Sequence, residues 1–193
     1  MATTPALFLR ASGVVALDAV IGGGYPYGRL IEIFGPEKSG KSTLALRAAA
    51  ACQADGGTVL LVDLDQSFAP EHAASCGADS ERLLIAQPDT AAQGFDVVDS
   101  VLKSRAADLI IVDSADRLLR EEHGERVLTA YVRRLAGKTA GCTILFVGSG
   151  RGNALRFFCS IRLQLEKAES GRQIRVVKNK FAAPFQTVPF ETS

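Results

Sequence analysis

Tryptophan is missing from this chain of 193 residues, methionine occurs once, and histidine occurs only at His72 and His123. The four cysteines, Cys52, Cys76, Cys142 and Cys159, form no C-x-x-C or C-x-H pair. That scatter gives no zinc framework and predicts reduced, mostly buried thiols. No apolar run approaches the ~20 residues that span a bilayer, so no membrane partner is expected. The start, Met1 to Pro5, lacks a basic stretch followed by an apolar one. No signal peptide is read there, and a cytoplasmic protein is expected. An excess of one charge is lacking too: 22 Lys and Arg meet 21 Asp and Glu, for a net charge of +1. This excludes a uniformly basic nucleic-acid coat protein and an acidic disordered tail.

Hydrophobic residues make up 47% of the chain. At this length they suffice for one core without disulfide or metal support, so residues 1–193 are read as a single domain. Apolar runs alternate with amphipathic stretches. Strands are expected at Arg29–Phe34, Thr58–Asp63, Arg82–Gln87, Asp108–Asp113 and Thr143–Val147. Helices are expected at Lys41–Ala54, Gln93–Arg105 and Arg117–Lys138, the last broken at Gly124. Strands rich in Val, Ile and Leu between helices imply an α/β fold, a mostly parallel sheet covered on both faces. From Ile161 the period changes. Ile161–Lys167 and Gln173–Val177 alternate around Ser170-Gly171, which predicts an antiparallel hairpin at one edge. Glu191 to Ser193 reads as a frayed tail. Basic side chains gather between residues 151 and 180, where only Glu166 and Glu169 oppose them. That stretch fits either a polyanion surface or a solvated hairpin.

The sharpest signal is Gly35-Pro36-Glu37-Lys38-Ser39-Gly40-Lys41-Ser42. This is G-x-x-x-x-G-K-S, a P-loop, and it lies between a predicted strand and a predicted helix, as the motif requires. Its glycines let backbone N–H groups converge on phosphate oxygens, and the following helix presents its positive end to the same anion. Lys41 would reach the β- and γ-phosphates of ATP, Ser42 would hold Mg2+, and Thr43 would stand near the α-phosphate. Asp113 closes an apolar strand and would orient Mg2+ through water, as a Walker B carboxylate does. Asp63 and Asp65 end the strand after the P-loop helix, on the edge where ligands of open parallel sheets lie. Asp65 is taken as the base that polarises the attacking water, and Asp63 as structural. Both also fit as strand-end turn residues.

With these motifs in place, the chain resembles the bacterial RecA recombinase family along nearly its whole length. The resemblance is carried by Ser12-Gly13, Leu17-Asp18, Gly28 to Glu37, the P-loop, Gln87 to Thr90 and Ile111 to Ser114. It continues through Leu135 to Gly137, Gly152 to Phe157 and Val177-Lys-Asn-Lys-Phe-Ala-Ala-Pro-Phe185. The resemblance implies a RecA-like ATPase core in which Lys178 and Lys180 reach the γ-phosphate of a neighbouring protomer. It therefore implies self-association, or pairing with a RecA-related repair protein. It also implies single-stranded DNA backbone contacts from Arg126, Thr129 and Arg133, which share a helix face, and from Gly152 and Asn153 at the start of a short helix.

The departures from the family bear on function. Asp65 replaces the catalytic glutamate and is one methylene shorter, and a misplacement of about 1 Å can cost ~10²-fold in rate. His72 replaces an adenine-stacking tyrosine, and Ala69 an adenine-contacting aspartate. Gly148-Ser149 stand where the family senses the γ-phosphate with a glutamine. Both DNA loops are shortened, to a few residues around Glu121–Glu125 and to Ser149–Gly152. The family's N-terminal docking element and C-terminal domain have no counterpart in this sequence. Without long loops to separate bases, strand exchange is not expected. The expected function is that of a minimal ATP- and Mg2+-binding protein of DNA recombination and repair, with slow or DNA-dependent ATP hydrolysis. The alternative is an ATP-gated or non-catalytic accessory module of the DNA-damage (SOS) response. It would resemble the small RecA-related proteins of translesion synthesis or the SOS division inhibitors.

Overall fold

Strands with no polar face need cover on both sides, and that need organises this chain. The computed structural model describes residues 8–139, 141–168 and 171–192. In chain order its elements are β1 (Leu9–Arg10), α1 (Val15–Ile21), β2 (Tyr25–Pro26), β3 (Leu30–Phe34), α2 (Lys41–Ala54), β4 (Val59–Asp63), α3 (Pro70–Ser75), β5 (Leu83–Ala86), α4 (Ala91–Ser104), β6 (Leu109–Asp113), α5 (Asp116–Leu119), α6 (Gly124–Leu135), β7 (Thr143–Gly148), α7 (Asn153–Phe158), β8 (Ile161–Ala168), β9 (Gly171–Asn179) and β10 (Thr187–Pro189). The main sheet has the order β10-β9-β8-β3-β7-β6-β4-β5. Neighbours from β8 to β5 are parallel, while β9 and β10 are antiparallel additions at one edge. This is the expected α/β architecture with its edge hairpin.

Alternate residues of each central strand enter different cores. Leu61, Ile111 and Val147 join Leu44, Ala48 and Cys52 of α2 on one face. Val62, Val112 and Phe146 join Val98 of α4, Leu128 and Val132 of α6 and Leu155 of α7 on the other. Each such aliphatic side chain contributes roughly 1.5–3 kcal/mol by leaving water. Helix α2 buries small residues, Ala45, Ala48 and Ala49, so it packs close against the strands that end at the phosphate loop. Three cysteines are buried, Cys76 is partly so, and all four are free thiols. No helix among the described residues is long and apolar enough to cross a membrane.

Several boundaries differ from the sequence expectation for local reasons. Thr90 and Gln93 form a capping box, with bonds of 3.3 Å and 3.2 Å, so α4 starts at Ala91. The helix expected over Arg117–Lys138 is divided into α5 and α6 by a turn at Arg120–His123, where His123 takes a left-handed φ of 61°. A Cβ at Gly124 would run into the Leu118 carbonyl, which is why the break comes there. A 3-10 turn at Ser80–Arg82 removes Arg82 from β5. Strand β9 begins at Gly171, and Ser170 of the expected turn lies outside the described residues. The tail is not frayed as far as Thr192: Phe190 is 3% exposed, and Arg172 Nη1 donates to Thr192 Oγ1 at 2.7 Å. Ser193 lies outside the described residues.

The seam between β3 and β8 carries the hairpin, and it holds a buried ion pair. Arg162 Nε donates to Glu32, and the Arg162 guanidinium lies 4.5 Å over the Phe34 ring. Burial pushes the Glu32 carboxyl up, and Arg162 opposes that shift. Removing one partner leaves a buried charge without its counter-ion. Arg162→Leu is therefore expected to lose about 3 kcal/mol of stability in urea denaturation. The double change Glu32→Leu with Arg162→Leu recovers most of the loss.

Candidate nucleotide site

The chain leaves β3 at Phe34 and turns through Gly35–Gly40 into α2. Two glycines in this turn are required by geometry. Gly35 has φ 154°, and a Cβ there would collide with the Leu165 carbonyl of β8. Gly40 caps α2 with φ 98°, and a Cβ there would stand 2.7 Å from Thr192 Cγ2 and 2.8 Å from Phe190 Cε1. The loop is thus clamped between the β8 backbone and the C-terminal segment. Helix α2 has no acidic residue in its first turn, so no carboxylate of its own neutralises its positive end. Lys41 Nζ folds back and donates to the Pro36 carbonyl at 2.7 Å. Burial lowers the Lys41 pKa, and the charges of Asp113, Asp116 and Glu37 oppose that shift. Ser39 is buried in the loop, and its hydroxyl lacks a hydrogen-bond partner among the described residues.

Ser42 Oγ donates to Asp113 Oδ2 at 2.7 Å, which joins the P-loop helix to the end of β6. Asp113 stands in register with Asp63 at the end of β4. Burial pushes the Asp113 carboxyl up, the Ser42 bond opposes this, and the charges of Asp65 and Asp63 push it further. A carboxylate disfavoured by burial and by two like charges gains from a divalent cation. Hydroxyl and carboxylate oxygens are the hard ligands that Mg2+ takes. Among the described residues no three His, Cys, Asp or Glu side chains form a metal cage.

Asp63 has the structural role that the sequence suggests. Its carboxylate accepts from Ser67 N at 3.1 Å, Phe68 N at 2.9 Å and Gln87 Nε2 at 2.9 Å. Asp65 is exposed and accepts from Ser114 Oγ at 2.6 Å, next to Asp113 in sequence. His72 on α3 places Nε2 3.1 Å from Thr43 Oγ1. An open cavity of about 330 Å³ lies over Gly40–Thr43 and is also lined by Lys38, His72, Arg172 and Thr192. A second, of about 340 Å³, lies on the other side of Lys41 against Gly35, Pro36 and Glu37.

The remaining expected residues lie apart from this chain's own P-loop cavities. Lys178 on β9 donates to the Arg156 and Phe157 carbonyls, both at 2.9 Å, and so caps the end of α7. Burial and the neighbouring Lys180 lower its pKa. Lys178 and Lys180 share an open cavity with Asn153, Arg156 and Phe157, and Phe157 is strongly exposed. Arg126 and Arg133 are exposed on α6, while the Thr129 hydroxyl donates to the Glu125 carbonyl at 2.7 Å. Gly152 takes φ 91° and Asn153 starts α7, as expected. The start of α7 is not open to phosphate, however. Asn153 N and Ala154 N donate to Glu125 Oε1 at 2.7 Å and 3.0 Å. Sequence reading missed Glu125 in this role, and also Ser114, Asp116 and Arg172. Ser114 and Asp116 are signalled only by following Asp113 closely, while Glu125 and Arg172, the latter on β9 beside β8, carry no local signal.

A sequence profile of the RecA N-terminal domain matches residues 6–131. The RecA protein of Prochlorococcus marinus (strain NATL1A) is 35% identical over 220 aligned positions, covering 94% of this chain and 58% of that protein. The RecA protein of Synechococcus sp. (strain CC9605) is 35% identical over 220 positions, covering 94% of this chain and 59% of that protein. The chain belongs to the RecA family. It spans somewhat over half the length of these relatives. An alignment longer than the chain itself means that the relatives carry residues this chain lacks.

Because the folded pKa of Asp113 is raised, its charge opposes folding at neutral pH; the penalty shrinks as pH falls below that pKa and is gone once pH drops below the ordinary carboxylate value. Asp113→Asn is expected to raise the melting temperature of the ligand-free protein at pH 7 by a few degrees. The difference from the parent shrinks in acid. Melting curves at pH 7 and pH 4.5 read this directly.

Proposed function

From that membership we propose that the chain binds ATP with Mg2+, hydrolyses it slowly, and contacts a single-stranded DNA backbone in recombination or repair. The observation that carries the reading is the joined set of Gly35–Ser42, Lys41 and the Ser42–Asp113 bond at the end of a parallel sheet. Loop amides and the start of α2 hold the phosphates, and Lys41 leaves the Pro36 carbonyl to meet them. Ser42 and Asp113, the latter through water, would hold Mg2+, which would neutralise phosphate charge. His72 flanks the base. Asp65, steadied by the Ser114 hydroxyl, takes the proton of the attacking water.

Lys178 and Lys180 reach a second copy's nucleotide rather than their own, which agrees with their distance from the P-loop cavities. Arg126 and Arg133 supply exposed charge for a phosphate backbone. The Glu125 cap on α7 must be displaced before the Asn153 amide contributes. DNA contact is therefore weak and rests on side-chain charge.

The test is steady-state ATP hydrolysis with and without single-stranded DNA, with Lys41→Ala as the blank. Slow turnover that DNA stimulates, with the stimulation lost in Lys178→Ala, is the expected result. Tight ATP binding with no DNA response would instead favour a nucleotide-gated accessory protein. No ATP binding at any Mg2+ concentration would overturn the reading.

A further inference from the structure

Two arginines, one just past α5 and one in the trimmed Ser149–Gly152 link, stand beside the phosphate loop. The 340 Å³ cavity next to Gly35, Pro36 and Glu37 is also lined by Lys41, Asp116, Arg120 and Arg151. Lys41 lines this cavity and the one over Thr43 and His72. A triphosphate laid along the loop passes Lys41. If its base end lies at Thr43 and His72, its far end enters the cavity that holds the arginines. That volume exceeds what one phosphate group and a few waters need.

The two arginines come from different elements and converge there. Arg120 follows α5, just beyond the strand that ends in Asp113. Arg151 lies in the short link from β7 to α7. Neither enters an ion pair among the described residues.

The link that carries Arg151 is held in place at both ends. Asp116 accepts from Ser149 N and from Ser149 Oγ, both at 2.8 Å. Glu125 accepts from Asn153 N and Ala154 N at the other end. Between them, Gly150 has φ 82° and packs so closely on the Phe34 ring that a Cβ would overlap it. Phe34 is the last residue of β3, directly before the loop. The link is therefore seated on the strand from which the phosphate loop springs. Asp116 is an acid in the cavity wall, but both its oxygens are engaged by Ser149, and Glu37 is the other acid of the wall.

We propose that Arg120 and Arg151 bind the γ-phosphate of ATP held by the same chain, as a cationic pair supplied in cis. The inference rests on the ATP-binding reading above and deepens it. Hydrolysis joins a water oxygen to the γ-phosphorus and breaks the bond to the β–γ bridging oxygen, which leaves on ADP with the electron pair. One proton of that water stays with the product phosphate, and the other reaches solvent by way of Asp65. Guanidinium groups on the equatorial oxygens stabilise the charge there as the bond opens. Basal, DNA-free hydrolysis then needs no second copy, whereas Lys178 and Lys180 act only after assembly.

The test compares the affinities of ATP and ADP, each with Mg2+, in the parent protein and in Arg120→Ala, Arg151→Ala and the double variant. Because ADP lacks the γ-phosphate, each single change is expected to weaken ATP by about tenfold and leave ADP within about twofold. DNA-free turnover per molecule in the parent is expected to stay constant over a hundredfold range of protein concentration. ATP affinity unchanged in the double variant overturns the proposal, and so does an equal loss for ATP and ADP. Turnover that climbs with protein concentration and vanishes in Lys178→Ala overturns it as well. A parent protein that binds neither nucleotide overturns the ATP-binding reading itself, which separates the two failures.

Discussion

Two carboxylates in register at the ends of adjacent parallel strands impose the main electrostatic constraint on this molecule. Asp63, buried, and Asp113, partly buried, lie side by side, and Asp65 adds a third charge nearby. Like charges so placed are tolerated only where each finds hydrogen-bond donors. Asp63 is satisfied by two backbone amides and Gln87, which fold the 63–68 turn around it. Asp65 is held by Ser114. Among the described residues the Asp113 carboxylate accepts only from the Ser42 hydroxyl, and burial pushes its pKa up. The fold leaves one carboxylate under-compensated beside the Gly35–Ser42 loop, where, on the proposed reading, a phosphate-bound Mg2+ would complete it.

The antiparallel edge supports this arrangement as much as the parallel core does. Strand β8 runs beside β3, its Leu165 carbonyl leaves no room for a side chain at residue 35, and Arg162 neutralises Glu32 below. Strand β10 returns the chain so that Phe190 and Thr192 rest on Gly40. The Arg172–Thr192 bond and the guanidinium of Arg47, 5.3 Å over the Phe190 ring, hold that segment down. The hairpin therefore restrains the loop on the side away from the carboxylates. The same hairpin carries Lys178 and Lys180 outward, on a surface with the exposed Phe157.

What was legible in the sequence is what local pattern decides. Buried strands of Val, Ile and Leu, the Gly-rich loop with Lys41 and Ser42, and the strand-end Asp113 all stand where their patterns place them. Long-range pairing was illegible. Nothing near Arg10 announces that it is 2% exposed, donates to Cys52 Sγ at 2.9 Å and lies over Tyr27. Thr187–Phe190 is too short a run to read as a strand, yet Val188 and Phe190 are buried through pairing with β9. Glu125 reads as one acid among several in a charged helix start. Only the packing of α6 on α7 turns it into the cap that occupies the Asn153 amide. Arg120 and Arg151 are thirty-one residues apart in sequence, and topology alone brings them to one cavity.

Every role proposed for this chain requires the Gly35–Ser42 loop and Asp113 to form a working phosphate and Mg2+ site. Titration calorimetry of ATP into the protein, with and without Mg2+, tests this most directly. Binding that strengthens with Mg2+ and weakens at least ~10-fold in Lys41→Ala is the predicted result, since Lys41, released from the Pro36 carbonyl, is the lysine expected to meet the phosphates. Equal affinity in the parent and in Lys41→Ala, or binding indifferent to Mg2+, would contradict it.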